Sequence, residues 1–218
     1  MFPPPVLPDA TLQLVFDLVG VFVFGLSGAL VAVRERLDVF GIVVLAVATG
    51  LGGGLLRDVL IGAVPPATLT DYRYTLVAVV AGCVAFAGHA RYPRLGSRIR
   101  RRLGTAVTVL DAAGLGVFCV AGALKALVYL PGPVPAALLG MVTAVGGGVI
   151  RDLLTGRVPV VLHREVYAVP ALVGAALVVA ADHVGWRQWW VALAAAAVVF
   201  ALRLVAVVRD WHAPRPGV

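Results

Sequence analysis

The sequence predicts an all-α membrane protein: seven transmembrane helices, arranged as two inverted three-helix repeats followed by a seventh helix. Three observations predict it. First, of 218 residues 61% are hydrophobic and only 13% are charged. The mean hydropathy of +1.00 lies outside the range of soluble domains. Second, the chain contains itself twice, 94 positions apart. Gly52, Gly53, Gly54, Arg57, Asp58, Gly62 and Pro65 recur as Gly146, Gly147, Gly148, Arg151, Asp152, Gly156 and Pro159. Without a gap, the same shift carries Asp17 onto Asp111, Gly20 onto Gly114, Phe24 onto Phe118, Gly28 onto Gly122 and Thr49 onto Thr143. So many coincidences at one offset mean an internal duplication. Third, the basic residues alternate between successive connections, as the positive-inside rule requires of a multi-span chain.

The elements follow in order, a span needing about 20 predominantly apolar residues. The opening MFPPPVLPDA has no basic stretch, so the first span, 11–33, is expected to stay in the mature protein rather than be cleaved as a signal peptide. It ends at a connection with Arg34 and Arg36. The second span, 40–61, holds the first glycine run; the link after it has no Lys or Arg before Arg73. The third, 73–89, leads to a loop, 90–104, carrying Arg91, Arg94, Arg98, Arg100, Arg101 and Arg102. The fourth, 106–130, and the fifth, 134–155, are joined by the uncharged link 131–133. Arg157 and Arg164 follow the fifth span, Arg187 follows the sixth (165–182), and Arg209 and Arg215 follow the seventh (187–208). The alternation places the N-terminus outside and the C-terminus in the cytoplasm. Trp186, Trp189 and Trp190 at one end of the seventh span and Trp211 at the other mark two interfacial belts about 33 Å apart. Three spans per copy is an odd number. The repeat 11–89 and the repeat 106–182 therefore enter the bilayer from opposite sides.

Composition excludes several functions. Almost all the basic residues behind the net charge of +7 stand at the ends of apolar runs, which topology explains without nucleic acid. Cys83 and Cys119 fall inside apolar stretches as small hydrophobes. Four scattered His and two Cys form no metal-ligand spacing, and no cofactor is expected. No Ser/His/Asp, Cys/His or H-E-x-x-H arrangement is present, so the protein does not read as an enzyme. The glycine runs lie in apolar spans rather than strand–loop–helix units, which excludes a phosphate cradle.

Glycines and charges at membrane depth are costly, so their duplication points to a pathway through the bilayer. Gly52, Gly53 and Gly54, like Gly146, Gly147 and Gly148, cost their helix about 3 kcal/mol relative to alanine. One reading is a kink or unwound segment whose free carbonyls face a partly dehydrated cation; the other is close helix packing. Arg57 and Asp58 are neighbours pointing about 100° apart, so they are not expected to pair with each other. Asp17 shares the depth of Arg57, which predicts an Asp17–Arg57 ion pair and, by the repeat, Asp111–Arg151; both can be structural locks. Asp58 and Asp152 are left without an obvious basic partner. Four acids (Asp17, Asp58, Asp111, Asp152) stand against Arg57, Arg151 and Lys125 within the spans, a balance that favours cations. Lys125 replaces Val31 of the first repeat; it either snorkels to the interface or tunes gating beside the pathway.

The copies ATGLGGGLLRDVLIGAVP (48–65) and TAVGGGVIRDLLTGRVP (143–159), with DLVGVFVFGLSGAL (17–30) and DAAGLGVFCVAGAL (111–124), resemble the prokaryotic trimeric intracellular cation (TRIC) channel family, also described as a glycine-transporter domain family. The resemblance covers nearly the whole chain. It implies a homotrimer in a lipid bilayer, with one pore per protomer near the glycines of spans two and five, conducting K⁺ or Na⁺. It implies Gly52–Gly54 and Gly146–Gly148 as pore or hinge residues, with Arg57, Asp58, Arg151 and Asp152 flanking them. The resemblance also suggests Lys125 as the counterpart of a basic residue on span four linked to gating in animal relatives, although the local match there is poor. Without the long polar tail of those relatives, the chain is expected in a plasma membrane. The competing reading is a secondary transporter for a small solute such as glycine, and a third is a non-conducting scaffold.

Overall fold

The computed structural model of the protein describes residues 10–90, 97–163 and 167–211, and these are helical, with no strand among them. Among the described residues there are seven long helices: α1 (Ala10–Arg34), α2 (Val39–Leu60), α4 (Tyr72–Ala90), α5 (Ser97–Tyr129), α6 (Pro133–Leu154), α8 (Ala168–His183) and α9 (Trp189–Val208). Two single-turn helices, α3 (Ala67–Thr70) and α7 (Val160–His163), were not anticipated. Among the described residues five helices, α1, α2, α5, α6 and α9, are long and apolar enough to cross a membrane by length and composition, and α8 is a shorter apolar helix. The protein is an all-helical, multi-pass membrane protein.

One boundary departs clearly from the sequence reading. Helix α5 begins at Ser97 rather than 106, so the arginine-bearing segment expected as loop 90–104 is partly helical. Residues 91–96, where Arg91 and Arg94 lie, are outside the described residues, as are 164–166 at the expected start of the sixth span.

The helix ends follow from local chemistry. The Asp38 carboxylate accepts from Gly41 N–H at 2.7 Å, capping α2. Helices α2 and α6 end alike: Gly62 (φ 72°) and Gly156 (φ 68°) are left-handed, where L side chains are disfavoured. Ala63 N–H then reaches back to Asp58 O, and Arg157 N–H to Asp152 O, both at 2.8 Å, closing the ends in the manner of a Schellman motif.

Helices α1, α2 and α4 pack together, as do α5, α6 and α8; α1 meets α5, α2 meets α6, and α9 lies on α5 and α8. At the centre the rings of Phe24 and Phe118 stack with centroids 5.4 Å apart. Both are buried. Each ring fills the space left by the other half's glycine: a Cβ on Gly20 would stand 2.6 Å from Phe118, and one on Gly114 would stand 2.7 Å from Phe24.

Candidate functional site: two buried charge clusters flanking a helix crossing

The glycine runs do not unwind. Helices α2 and α6 pass through them as unbroken helix, correcting the expectation of freed carbonyls there. What the glycines do is let two backbones touch. A Cβ on Gly53 would lie 2.3 Å from Thr143 O, and one on Gly147 would lie 2.4 Å from Thr49 O. Any side chain at either position drives α2 and α6 apart. The neighbouring glycines have different reasons. A Cβ on Gly52 would meet Ile150 at 2.4 Å, and one on Gly148 would meet the Tyr167 hydroxyl at 2.7 Å. Backbone contact in place of side-chain contact is the close-packing reading.

On one side of this crossing sits the first cluster. Arg57 donates from both terminal nitrogens to Asp17, at 2.7 and 3.2 Å, the pair expected from their shared depth. Its Nε donates to Asp58 Oδ1 at 2.8 Å. Neighbours on a helix were expected not to pair. The guanidinium overturns that, because it is a long fork with donors on two edges: one edge takes Asp17 and the other takes Asp58. Asp58 is not partnerless either. Lys125 Nζ lies 2.8 Å from Oδ1, and the N–H of Ala67, at the start of α3, donates to Oδ2 at 3.1 Å. Asp17 Oδ2 further accepts from the Tyr74 hydroxyl at 3.1 Å and Gln13 Nε2 at 3.2 Å. Arg57 and Asp58 are fully buried, and Asp17 nearly so. Charges this far from water persist only when paired and hydrogen-bonded throughout.

The second cluster repeats the first. Arg151 donates to Asp111 Oδ1 at 2.7 Å and to Asp152 Oδ1 at 2.9 Å. Val160 N–H, at the start of α7, donates to Asp152 Oδ2 at 3.1 Å. The differences are informative. Ser27 Oγ accepts from Arg151 at 2.9 Å, and the position of Lys125 is taken by Val31. With no lysine there, Asp152, Arg151 and Asp111 border a cavity of about 230 Å³ that Val31, Arg34 and Arg157 also line. One cluster is sealed by an amino group; the other opens onto a vestibule.

The sequence reading missed Gln13, Tyr74, Ser27, Tyr167 and Arg203. Tyr74 and Tyr167 escaped because the repeat loses one residue after Pro65 and Pro159: α3 starts at Ala67 and α7 at Val160, 93 positions apart rather than 94. A comparison allowing one gap pairs the two tyrosines. Arg203 carried its own signal, as the single charged residue within an otherwise apolar helix, α9. It is buried, with its guanidinium carbon 4.8 Å from the centre of the Tyr167 ring. Counting it, four buried acids face four bases, so the net negative balance does not hold.

Among the described residues no group of His, Cys, Asp or Glu is arranged to hold a metal ion.

The family model described as "Glycine transporter" matches residues 14–90 and 108–183. A UPF0126 membrane protein of Streptomyces coelicolor is 52% identical over 204 residues, covering 93% of this chain and 90% of the relative. The UPF0126 inner membrane protein YadS of Escherichia coli K12 is 39% identical over 158 residues, covering 72% of this chain and 73% of the relative. Among solved structures, the TRIC trimeric intracellular cation channel orthologue from Rhodobacter sphaeroides superposes with a TM-score of 0.82 at 38% identity. That match covers 92% of this chain and all of the other. The duplicated Asp–Arg–Asp clusters thus stand on a fold shared with cation channels, and the chain belongs to the UPF0126 membrane-protein family that the glycine-transporter model describes.

Proposed function

We propose that the protein is a channel for monovalent cations, K⁺ or Na⁺, with one pore in each protomer of a homotrimer. The observation that carries this reading is the pair of carboxylate-bearing clusters on either side of the Gly53–Gly147 crossing, in a fold shared with cation channels. Seven spans cross the bilayer as a repeat at 11–89, an inverted repeat at 106–182 and a seventh helix at 187–208. The reciprocal contacts Gly20–Phe118 and Gly114–Phe24, and Gly53–Thr143 and Gly147–Thr49, support this arrangement, since a two-fold axis between the halves generates contacts in such pairs. The N-terminus lies outside and the C-terminus in the cytoplasm of a cell inner membrane.

Gly52–Gly54 and Gly146–Gly148 form the constriction, and at Gly53 and Gly147 it is backbone that must part for an ion. Arg57, with Asp17 and Asp58, and Arg151, with Asp111 and Asp152, fix the helix ends beside it. Bidentate and multiply bonded guanidinium groups hold geometry. Lys125 differs, being a single point charge on a flexible stem. It occupies Asp58 where a permeant cation would sit, and its departure leaves one acceptor for that cation. Lys125 is therefore the gating residue of this reading.

The test is single-channel recording on the purified protein in planar bilayers under K⁺, Na⁺ and glycine gradients. Cation current that saturates only at high concentration supports the channel. Stoichiometric glycine uptake coupled to an ion replaces it with a secondary transporter, and neither signal leaves a scaffold.

A further inference from the structure

The vestibule beside Asp152 is lined in part by Arg157, which makes an ion pair that the permeation reading does not use. Arg157 follows Gly156 at the end of α6 and lines the cavity. Its guanidinium pairs with Glu35, in the short connection after α1. The pair thereby ties the α1–α2 connection, from the first half of the chain, to the α6–α7 connection, from the second. The halves do not share this tie. Arg157 stands where the first half has Ala63, and Glu35 stands where the second has Tyr129. Both side chains are more than a third exposed, at 40% and 37%, so the pair is reachable by salt, unlike the buried clusters beneath it.

We propose that Glu35 and Arg157 form a strap across the mouth of this vestibule, restricting access from the arginine-rich face to Asp152. The proposal rests on the reading of the vestibule as one end of the pathway only for its effect on current. The strap itself is a statement about access. An exposed pair is worth little, which suits a strap that opens often: it sets how frequently the mouth is open, not whether the protein folds.

Access can be read without current. In a Cys83→Ser background, Thr108→Cys places a thiol on the cavity lining, and Cys119 stays buried. The probe is a neutral, water-soluble methanethiosulfonate, so that changed charge does not alter its approach. At low salt, Glu35→Gln and Arg157→Gln should each speed labelling by about three- to five-fold. The swap Glu35→Arg with Arg157→Glu should restore the slow rate. In 1 M salt the differences should vanish, the screening length there being about 3 Å. Equal low-salt rates in all variants overturn the strap, and so does a thiol that never reacts. Cation current is recorded on the same preparations. Labelling that responds with no current in any of them, including the parent, leaves the strap standing and removes the channel reading. Current without a labelling response does the reverse.

Discussion

Lys125 Nζ lies 2.8 Å from Asp58 Oδ1, while the equivalent position in the first half is Val31, beside the cavity that Asp152 borders. The two halves share their arginine locks, but this cation stands at only one of the two clusters. Replacing Lys125 by Gln should raise the open fraction by about ten-fold, roughly 1.4 kcal/mol. Val31→Lys should install a matching plug at Asp152 and lower conductance. Unchanged recordings from both variants would remove Lys125 from the gate.

The Asp17–Arg57 pair has one buried partner on each of two helices. Asp17→Arg should destabilise the fold by about 3–5 kcal/mol, because it sets two buried cations side by side. Adding Arg57→Asp should recover part of the loss. Recovery is partial because Asp58 then keeps only Lys125 and the Ala67 N–H. Thermal unfolding in detergent measures this; a double variant no better than the worse single one would show that the two residues are not coupled.

Two glycines separate packing from backbone conformation. Gly53→Ala should cost about 1–3 kcal/mol by overpacking, since its Cβ would stand 2.3 Å from the Thr143 carbonyl oxygen. Gly62→Ala meets nothing within 4 Å but keeps φ 72°, and should cost about 1 kcal/mol from left-handed strain alone. Gly53→Leu should go further and disrupt the α2–α6 crossing, with loss of flux. Normal flux in a stable Gly53→Leu protein would take the glycines out of the pore.

The hydrogen bond from Tyr74 to Asp17 gives a milder test of the first cluster. Tyr74→Phe should cost about 1.5–3 kcal/mol, the range for a hydrogen bond to a charged group. A change in melting temperature within error would mean that Asp17 is satisfied by Arg57 and Gln13 alone.

Topology is tested by cysteine labelling in the Cys83→Ser background. A cysteine at Ser97 should react with an impermeant reagent only from the cytoplasmic side. External labelling there would overturn the inverted arrangement.

The membrane class, the duplication and the Asp17–Arg57 and Asp111–Arg151 pairs were legible in the chain itself. Composition and period report burial directly, and residues on adjacent spans at equal depth have few other partners. What escaped was set by distances between side chains. The Arg57–Asp58 pair depends on how far a guanidinium reaches and on which edge it presents, and residue spacing encodes neither. Tyr74 and Tyr167 were hidden by one missing residue, which the short helices α3 and α7 absorb without moving either tyrosine from its cluster. The glycine runs show the division most clearly. Sequence alone marked Gly53 and Gly147 as costly in a helix and left unwinding and close packing both open. Only the approach of Thr143 and Thr49 carbonyl oxygens, closer than any Cβ could tolerate, decided that the helices stay whole and that their backbones meet.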